Sequence, residues 1–253
     1  MSTKWGNYAD YHGPNHAPGS PPSIHVRDVR LTLIDRLGFA FKGKRCLDVG
    51  CNDGTVGCQL AFDFGALQVV GIDIDPNLVS QAEELLALRA SRVRPPTDDS
   101  ERIVDYFPMS AVLRYGRNPA AAPSTSKWPH VRFIAADCVV STDPAISGPY
   151  DVILALSVIK WIHLEHLDEG LVAFFRRCGS SLVSGGYLIV ELQTWDSYEK
   201  SIRPHTAPHF AESLKQLKYR PETSFTDLLR NEGLNLCATS DRLRRRISVY
   251  RKA

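Results

Sequence analysis

The sequence has few of the features that mark disulfide-bonded, zinc-binding or membrane-spanning proteins. Its six cysteines are scattered, and no two form the Cys-x-x-Cys pair that is typical of zinc and redox sites. No apolar run approaches the roughly 20 residues of a transmembrane helix, and the polar N-terminus lacks the hydrophobic segment of a secretory signal. We therefore expect an intracellular protein without a metal site or a membrane partner, in which the cysteines, Cys46 and Cys237 among them, are reduced core residues.

A large excess of charge of one sign is also missing. The 30 basic and 28 acidic residues give a formal net charge of +2, so a nucleic-acid surface must be a local patch. The candidate patch is the C-terminal run Arg242-Leu243-Arg244-Arg245-Arg246. A run of this kind is more often a solvated face, and both interpretations stay open.

The chain has no internal repeat and instead alternates short apolar runs with segments of helical spacing. Strands are predicted at 46–49, 69–73, 131–137, 150–156, 187–192, 234–238 and 247–250, and helices at 26–37, 55–64, 76–89, 167–182 and 225–231. We expect Asp75 to cap the helix at 76–89 and Gly185-Gly186 to close the helix at 167–182. This order predicts an α/β protein with a mostly parallel, Rossmann-like seven-stranded sheet and helices on both faces. We expect residues 1–253 to form a single domain, with an N-terminal arm at 1–26 and an insertion at 92–130, of which 103–115 is apolar enough to pack.

The loop after the first strand indicates a nucleotide-like ligand. It has the sequence Asp48-Val49-Gly50-Cys51-Asn52-Asp53-Gly54, and Asp73 follows about twenty residues later, where a carboxylate accepts ribose hydroxyls. A dinucleotide site would have glycine in place of Asn52, although asparagine tolerates the same positive φ. Asp48 would repel a pyrophosphate and suits a cationic cofactor. The pattern resembles motif I of the class I S-adenosylmethionine-dependent methyltransferases, with a purely structural glycine turn as the alternative.

Residues that follow the other strands are candidates for the same site, because the carboxyl ends of parallel strands meet at one edge of a sheet. Asp137 after the third strand would suit a hydrogen bond to an adenine amino group, with a helix N-cap or a plain loop acid as an equal alternative. Lys160, Trp161 and His163 follow the fourth strand. Lysine is a compact cation suited to phosphate. Core packing is the favoured interpretation of Trp161, and a structural role that of His163 taken alone.

The N-terminal arm contains the aromatic and polar segment Lys4-Trp5-Gly6-Asn7-Tyr8-Ala9-Asp10-Tyr11. An arm of this composition is able to fold over a cofactor and stack on the terminal base of a nucleic acid. A disordered tail is the alternative that composition leaves open.

Six segments of the chain form a combination that is more specific than the glycine loop alone. They are Gly6-Asn7-Tyr8, Leu47-Asp48-Val49-Gly50-Cys51-Asn52, Gly71-Ile72-Asp73-Ile74-Asp75, Lys160-Trp161-Ile162-His163-Leu164, Asp168-Glu169-Gly170-Leu171 and Glu191-x-Gln193-x-Trp195-x-x-Tyr198. In this order they resemble the Bin3 family of RNA methyltransferases over nearly the whole chain. The resemblance implies methyl transfer from S-adenosyl-L-methionine to the 5′ γ-phosphate of a small non-coding RNA, with S-adenosyl-L-homocysteine as product. It also implies a nuclear monomer whose partners are a structured RNA with a 5′ triphosphate and proteins of a ribonucleoprotein.

The same resemblance implies roles for individual residues. Arg30 would contact the cofactor carboxylate. Further cofactor contacts would come from Asp48, Gly50, Cys51, Asn52, Asp73, Ile74, Asp137, Cys138 and Leu156. The phosphate end of the RNA would meet Tyr11, Lys160 and His163, with Gln193 and Trp195 nearby. A sister branch of the family acts on RNA 5′-monophosphates and lacks the lysine before Trp161, so Lys160 favours the triphosphate.

Three segments depart from the family pattern. Leu192 and Thr194 replace two prolines, Ala136-Asp137-Cys138 stands where Gly-Asn-Tyr is typical, and Asp10-Tyr11-His12 replaces a more aromatic run. These departures and the basic C-terminal patch support a rival interpretation. In it, the chain is an RNA-binding assembly factor with little or no turnover, which holds a telomerase or spliceosomal RNA within a ribonucleoprotein.

Overall fold

The computed structural model describes Trp5, residues 27–90, Arg114 and residues 129–253. The rest of the predicted arm and insertion lies outside these residues. The predictions for Tyr11, and for the packing of 103–115 apart from Arg114, therefore fall outside the described part of the chain. Within the described part, no helix has the length and apolar character needed to cross a membrane.

Seven strands form one sheet in the order β3-β2-β1-β4-β5-β7-β6. The strands are β1 Arg45–Val49, β2 Gln68–Asp73, β3 Val131–Ala135, β4 Tyr150–Leu156, β5 Leu182–Glu191, β6 Leu234–Ser240 and β7 Ile247–Lys252. Neighbouring strands are parallel from β3 to β5, whereas β7 is antiparallel to both β5 and β6. The strand order reverses between β1 and β4, which is where open α/β sheets bind ligands. The predicted mostly parallel seven-stranded sheet is confirmed.

Helices cover both faces of the sheet. They are α1 Val29–Arg36, α2 Thr55–Phe62, α3 Pro76–Ala90, α4 Ile159–Ser181, α5 Trp195–Ser201, α6 Ala211–Gln216 and α7 Phe225–Asn231. Successive strand residues point to opposite faces, so Ile153 and Ala155 of β4 pack in a core with α4 and α7. Val152 and Leu154 pack in a second core with α1, α2 and α3. The two cores hold the strand ends in fixed positions.

The region from β4 to β5 differs from the sequence prediction. The helix predicted at 167–182 begins at Ile159, and Leu167, with a φ of +58°, lies at a kink inside it. Lys160 and His163 therefore lie on the first turns of α4. The prediction that Gly185-Gly186 closes this helix is wrong, because β5 begins at Leu182 and contains both glycines. They coincide with a shift in register against β4, an irregularity that glycines in strands often mark.

The cysteines are free thiols, and most of them lie in the core. Cys46, Cys51, Cys58 and Cys178 are buried and Cys138 is half-buried. Cys237 is exposed, so its predicted core position is wrong. The reason is that β6 is an edge strand whose middle residues largely face solvent.

Candidate functional site

The carboxyl ends of β1 to β5 surround a cavity at one edge of the sheet, here called the crevice. The predicted site residues that line it are Gly50, Asn52, Asp73, Ile74, Asp137, Cys138, Leu156, Lys160 and Gln193. Trp5, the one residue of the arm that the structure describes, lines it as well. The predicted residues that do not line it are Arg30, Asp48, Cys51, His163 and Trp195.

The loop after β1 is fixed against β2 by backbone hydrogen bonds. The amides of Gly50 and Cys51 donate to the Ile72 carbonyl at 2.8 and 3.0 Å. Asn52 has a φ of +51°, the left-handed conformation for which asparagine is suited, and its amide donates to Asp73 Oδ2 at 2.9 Å. Burial raises the pKa of Asp73. Since an ionised carboxylate has about four acceptor positions, Asp73 keeps capacity for hydroxyl donors of a ligand in the crevice.

Asp48 is a buried carboxylate in β1, directly before this loop. It is 2% exposed, and among the described residues its Oδ2 has no hydrogen-bond partner. Burial raises its pKa to about 7, although the positive charge of Arg30 opposes this shift. A cationic ligand at this end of β1 would stabilise the ionised carboxylate.

Replacing Asp48 with asparagine is expected to stabilise the ligand-free protein, and the stabilisation should be larger at alkaline pH than in mild acid. The raised pKa means that the folded protein binds this proton more tightly than the unfolded chain, so ionisation opposes folding increasingly from about pH 4 to about pH 7. Thermal unfolding of both proteins at about pH 5.5 and about pH 8 measures the difference. Asp53→Asn, a less buried change in the same loop, is the control. A stability difference that is equal at both pH values would contradict the prediction.

Arg30 forms a buried ion-pair network next to the crevice. Its guanidinium contacts Asp28 at 2.6 Å and Glu191 at 3.2 Å, and the three side chains are at most 6% exposed. Asp28 is also the N-cap of α1 and accepts from the Arg30 amide at 2.8 Å. Arg30 thus connects the start of α1 to the end of β5. Its contact with a cofactor carboxylate stays a prediction, because Arg30 does not line the crevice.

The two loops that follow β3 and β4 form another wall of the crevice. Asp137 Oδ1 accepts from the Val139 amide at 2.8 Å, and its Oδ2 lies 2.7 Å from Nε2 of His166. The carbonyl of Cys138 accepts from Arg177 at 2.6 Å, and Leu156 adds an apolar surface. Asp137 therefore acts as a loop acid, and its contact with an adenine amino group stays a prediction.

Lys160 places a positive charge in the crevice. The residue is 7% exposed, and its Nζ donates to the carbonyl and hydroxyl oxygens of Ser197, both at 3.2 Å. In the part of the chain that the structure describes, no carboxylate forms an ion pair with it. Burial lowers the pKa of Lys160 to about 8, helped by the positive charge of Arg245. Because an uncompensated buried charge is costly, this ammonium is suited to pair with an anion.

His163 is fully buried and does not reach the crevice. Its Nε2 lies 2.8 Å from Asp168 and its Nδ1 lies 3.3 Å from the Tyr198 hydroxyl, so both ring nitrogens have partners inside the protein. Burial lowers its pKa despite the opposing effect of Asp168. The predicted contact of His163 with phosphate is not supported by this position. Tyr198 neighbours Ser197, so His163 instead helps to place the segment that holds Lys160 Nζ.

Trp195 also packs away from the crevice. The Trp195 ring stacks on Tyr198 with the ring centroids 5.1 Å apart. The guanidinium carbon of Arg220 lies 3.4 Å from the centroid of the Trp195 ring. Its amide donates to Glu222 at 2.7 Å. The predicted place of Trp195 beside the phosphate is therefore not observed, and the residue stabilises the start of α5.

A further group of polar side chains joins the crevice to the end of β5. Gln193 Nε2 donates to the Ser157 carbonyl at 3.0 Å, whereas Gln193 Oε1 has no partner among the described residues. The Ser157 hydroxyl donates to Glu191 and accepts from Arg245 at 2.6 Å. Sequence reasoning missed the place of Arg245 in the crevice because it treated 242–246 as one surface run. Only the pairing of β7 with β5 brings this loop to the site.

Comparisons with known proteins identify relatives of the chain. The family model of Bicoid-interacting protein 3 (Bin3) matches residues 150–252, which include Lys160, Gln193 and Arg245. The chain is 35% identical over 226 residues to the 7SK snRNA methylphosphate capping enzyme of Mus musculus, covering 79% of the chain and 32% of the relative. It is 30% identical over 232 residues to the U6 snRNA methylphosphate capping enzyme Amus of Drosophila melanogaster, covering 90% of the chain and 65% of the relative. The chain therefore contains a Bin3 domain at residues 150–252.

The chain spans about a third of the length of the mouse capping enzyme and just under two thirds of the fly enzyme. It is also 29% identical over 184 residues to the RNA 5′-monophosphate methyltransferase of Mus musculus, covering 65% of the chain and 53% of the relative. A solved structure of magnesium protoporphyrin IX methyltransferase (ChlM) from Synechocystis PCC 6803 with bound SAM aligns over 89% of this chain and 77% of its own. The TM-score is 0.50 at 18% identity, which shows the class I methyltransferase fold.

Proposed function

We propose that this chain is an S-adenosylmethionine-dependent O-methyltransferase that acts on the 5′ γ-phosphate of a small non-coding RNA. The observation that carries the proposal is Lys160, a buried ammonium in the crevice without a carboxylate partner among the described residues. The relatives named as snRNA methylphosphate capping enzymes and as an RNA 5′-monophosphate methyltransferase support an RNA 5′ phosphate as acceptor. The lysine favours the triphosphate, since a polyphosphate has more negative charge to interact with it.

The part of the crevice next to β1 and β2 fits the cofactor. Gly50 has a φ of +72°, and a Cβ there would lie 2.6 Å from Val158 Cγ2, so glycine is required where the backbone borders the crevice. Asp73 offers a carboxylate to ribose hydroxyls. Asp48 lies behind the crevice wall, and its Oδ2, which has no hydrogen-bond partner among the described residues, suits the positive charge of the cofactor. We infer that the residues holding it are Gly50, Asn52, Asp73, Ile74, Asp137, Cys138 and Leu156.

S-adenosylmethionine would supply a sulfonium-bound methyl group. Transfer of that methyl to an anionic phosphate oxygen, with S-adenosylhomocysteine as the leaving group, would need no strong general base. The protein therefore contributes mainly by positioning the phosphate and excluding water. Of the three N–H donors of an ammonium, Lys160 directs two at Ser197, which leaves one for a phosphate oxygen. Tyr198 and His163 keep Ser197 in place behind it.

A transfer assay with labelled S-adenosylmethionine tests the proposal. One RNA sequence is supplied with a 5′ triphosphate, a 5′ monophosphate or a 5′ hydroxyl. We expect label on the triphosphate RNA. Preference for the monophosphate RNA would overturn the γ-phosphate assignment and favour RNA 5′-monophosphate methylation, the activity for which one relative is named. Absence of label from all three RNAs, with salt-sensitive RNA binding retained, would replace it with an RNA-binding assembly factor.

The pKa of Lys160 predicts an alkaline limit to activity. The protonated form binds phosphate, and burial together with Arg245 lowers the pKa so that the proton is lost as the pH rises through about 8. The kcat/KM for RNA should therefore fall about tenfold per pH unit above this value. In Lys160→Arg the side chain stays charged at all accessible pH values. The alkaline decline in kcat/KM should therefore disappear from the measurable pH range, whatever the absolute rate of this variant. A decline unchanged in that variant would contradict the assignment.

A further inference from the structure

We propose that a second groove, lined by arginines, binds the first nucleotides that follow the 5′ phosphate of the RNA; this inference rests on the proposed function. The groove lies between α5 and the loop that joins β6 to β7. Its charged lining comprises Asp196, Lys200, Glu222, Asp241 and Arg244 to Arg246.

The groove adjoins the crevice. Gln193 and Arg245 line both cavities. Ser197, which holds Lys160 Nζ through its carbonyl and hydroxyl oxygens, lines the groove. A phosphate bound at Lys160 thus lies beside the boundary of the two cavities, and the strand that follows it can enter the groove directly. Gln193 is 5% exposed at this boundary. Its Oε1 has no hydrogen-bond partner among the described residues and offers an acceptor to a ribose 2′-hydroxyl or a base amino group.

Among the described residues, part of the positive charge in the groove has no carboxylate partner. Lys200 pairs with Asp196 at 2.5 Å and Arg246 pairs with Asp241 at 2.8 Å. Arg244 is exposed and has no side-chain partner in the described part of the chain. Arg245 gives one N–H to Ser157 and lies 4.0 Å from Glu191, with a third of its side chain exposed. The guanidinium groups of Arg244 and Arg245 therefore have N–H donors available to phosphodiester oxygens. Contacts between basic side chains and backbone phosphates are a main source of affinity for single-stranded nucleic acid.

The positions of the arginines also distinguish a binding groove from a basic surface that is merely solvated. Arg242 belongs to the same sequence run and is exposed like Arg244, yet it does not line the groove. A general attraction of basic residues for RNA would involve both arginines equally. A groove that binds the strand would involve Arg244 alone, so Arg242 is a matched control.

Binding of two ligands to the full chain tests this inference. One is a labelled single-stranded RNA of about 12 nucleotides with a 5′ triphosphate, and the other is a ribonucleoside 5′-triphosphate, each titrated at several salt concentrations. Arg244→Glu should weaken binding of the RNA by about tenfold or more and reduce the magnitude of its salt dependence by about 0.7 in log–log slope. It should leave the nucleoside triphosphate within about twofold, and Arg242→Glu should change both affinities little.

Two outcomes would overturn the groove. One is equal weakening of RNA binding by Arg244→Glu and Arg242→Glu, and the other is equal loss for both ligands in Arg244→Glu. The transfer assay on the same proteins separates this result from the proposed reaction. If the unaltered chain methylates no RNA but Arg244→Glu selectively weakens RNA binding, the proposed RNA binding by the groove is supported and the proposed methyl transfer is contradicted. If triphosphate RNA is methylated and the two variants behave alike, the groove alone fails.

Discussion

Replacing Lys160 with methionine is expected to lower kcat/KM for 5′-triphosphate RNA by about two orders of magnitude, with cofactor affinity changed less than about twofold. Methionine keeps an apolar stem beside Trp161 but removes the charge. Truncating one partner of a buried charged contact costs about 2–5 kcal/mol, which corresponds to roughly 30-fold to several thousand-fold. The large effect is expected because the ammonium is buried and, within the described residues, its direct partners are the neutral oxygens of Ser197 and the ring of Trp161.

Steady-state kinetics with RNA and calorimetric titration with S-adenosyl-L-homocysteine measure the two quantities separately. Lys215→Met is the control, because Lys215 is exposed, pairs with Glu212 at 2.6 Å and lines neither cavity. A parallel loss of turnover and cofactor affinity in Lys160→Met would show that the residue supports the fold of the crevice rather than the phosphate.

Replacing Gly50 with alanine is expected to abolish measurable cofactor binding and to lower thermal stability. Two costs add at this position. The left-handed φ of +72° costs alanine about 1–2 kcal/mol. The new methyl group would lie 2.6 Å from Val158 Cγ2 and 2.8 Å from Val158 Cβ, and overpacking of this kind costs about 1–3 kcal/mol. Relief requires the loop or Val158 to move, and both border the crevice.

Gly43 provides a close control for backbone strain. Its φ is +71°, and a Cβ there would meet nothing within 4 Å. Gly43→Ala should therefore lower stability modestly and leave cofactor affinity unchanged. The double variant Gly50→Ala/Val158→Ala should recover part of the lost affinity, because the clash is removed while the strain remains. Cofactor binding by Gly50→Ala that matches Gly43→Ala would contradict the account of this loop.

The cofactor half of the site was predictable because its rules are local in the chain. A glycine turn after an apolar strand, a residue such as asparagine that tolerates positive φ, and an acid at the end of the next strand follow from turn chemistry and periodicity. Asp75 was expected to cap α3, and its side chain accepts from the Asn77 amide at 2.9 Å. The roles of these residues in binding the cofactor stay predictions.

The phosphate half was only partly predictable because its contacts join distant residues. Lys160 was identified by its place after β4, but its partner Ser197 lies 37 residues away. His163 was placed beside the phosphate, whereas packing against Tyr198 and Phe225 buries its ring. Arg245 contacts Ser157 across 88 residues, and no local pattern in a basic run distinguishes it from Arg242.

The fold class, the approximate strands and the residue types at the strand ends were predictable from the sequence, since these depend on hydrophobic periodicity and turn residues close together in the chain. Only the tertiary structure showed that Lys160 has no carboxylate partner among the described residues, that His163 points inward to Asp168, and that Arg245 joins the crevice to a second groove. Burial, ion pairing and cavity shape depend on side chains brought together from distant positions, and the order of neighbouring residues does not specify them.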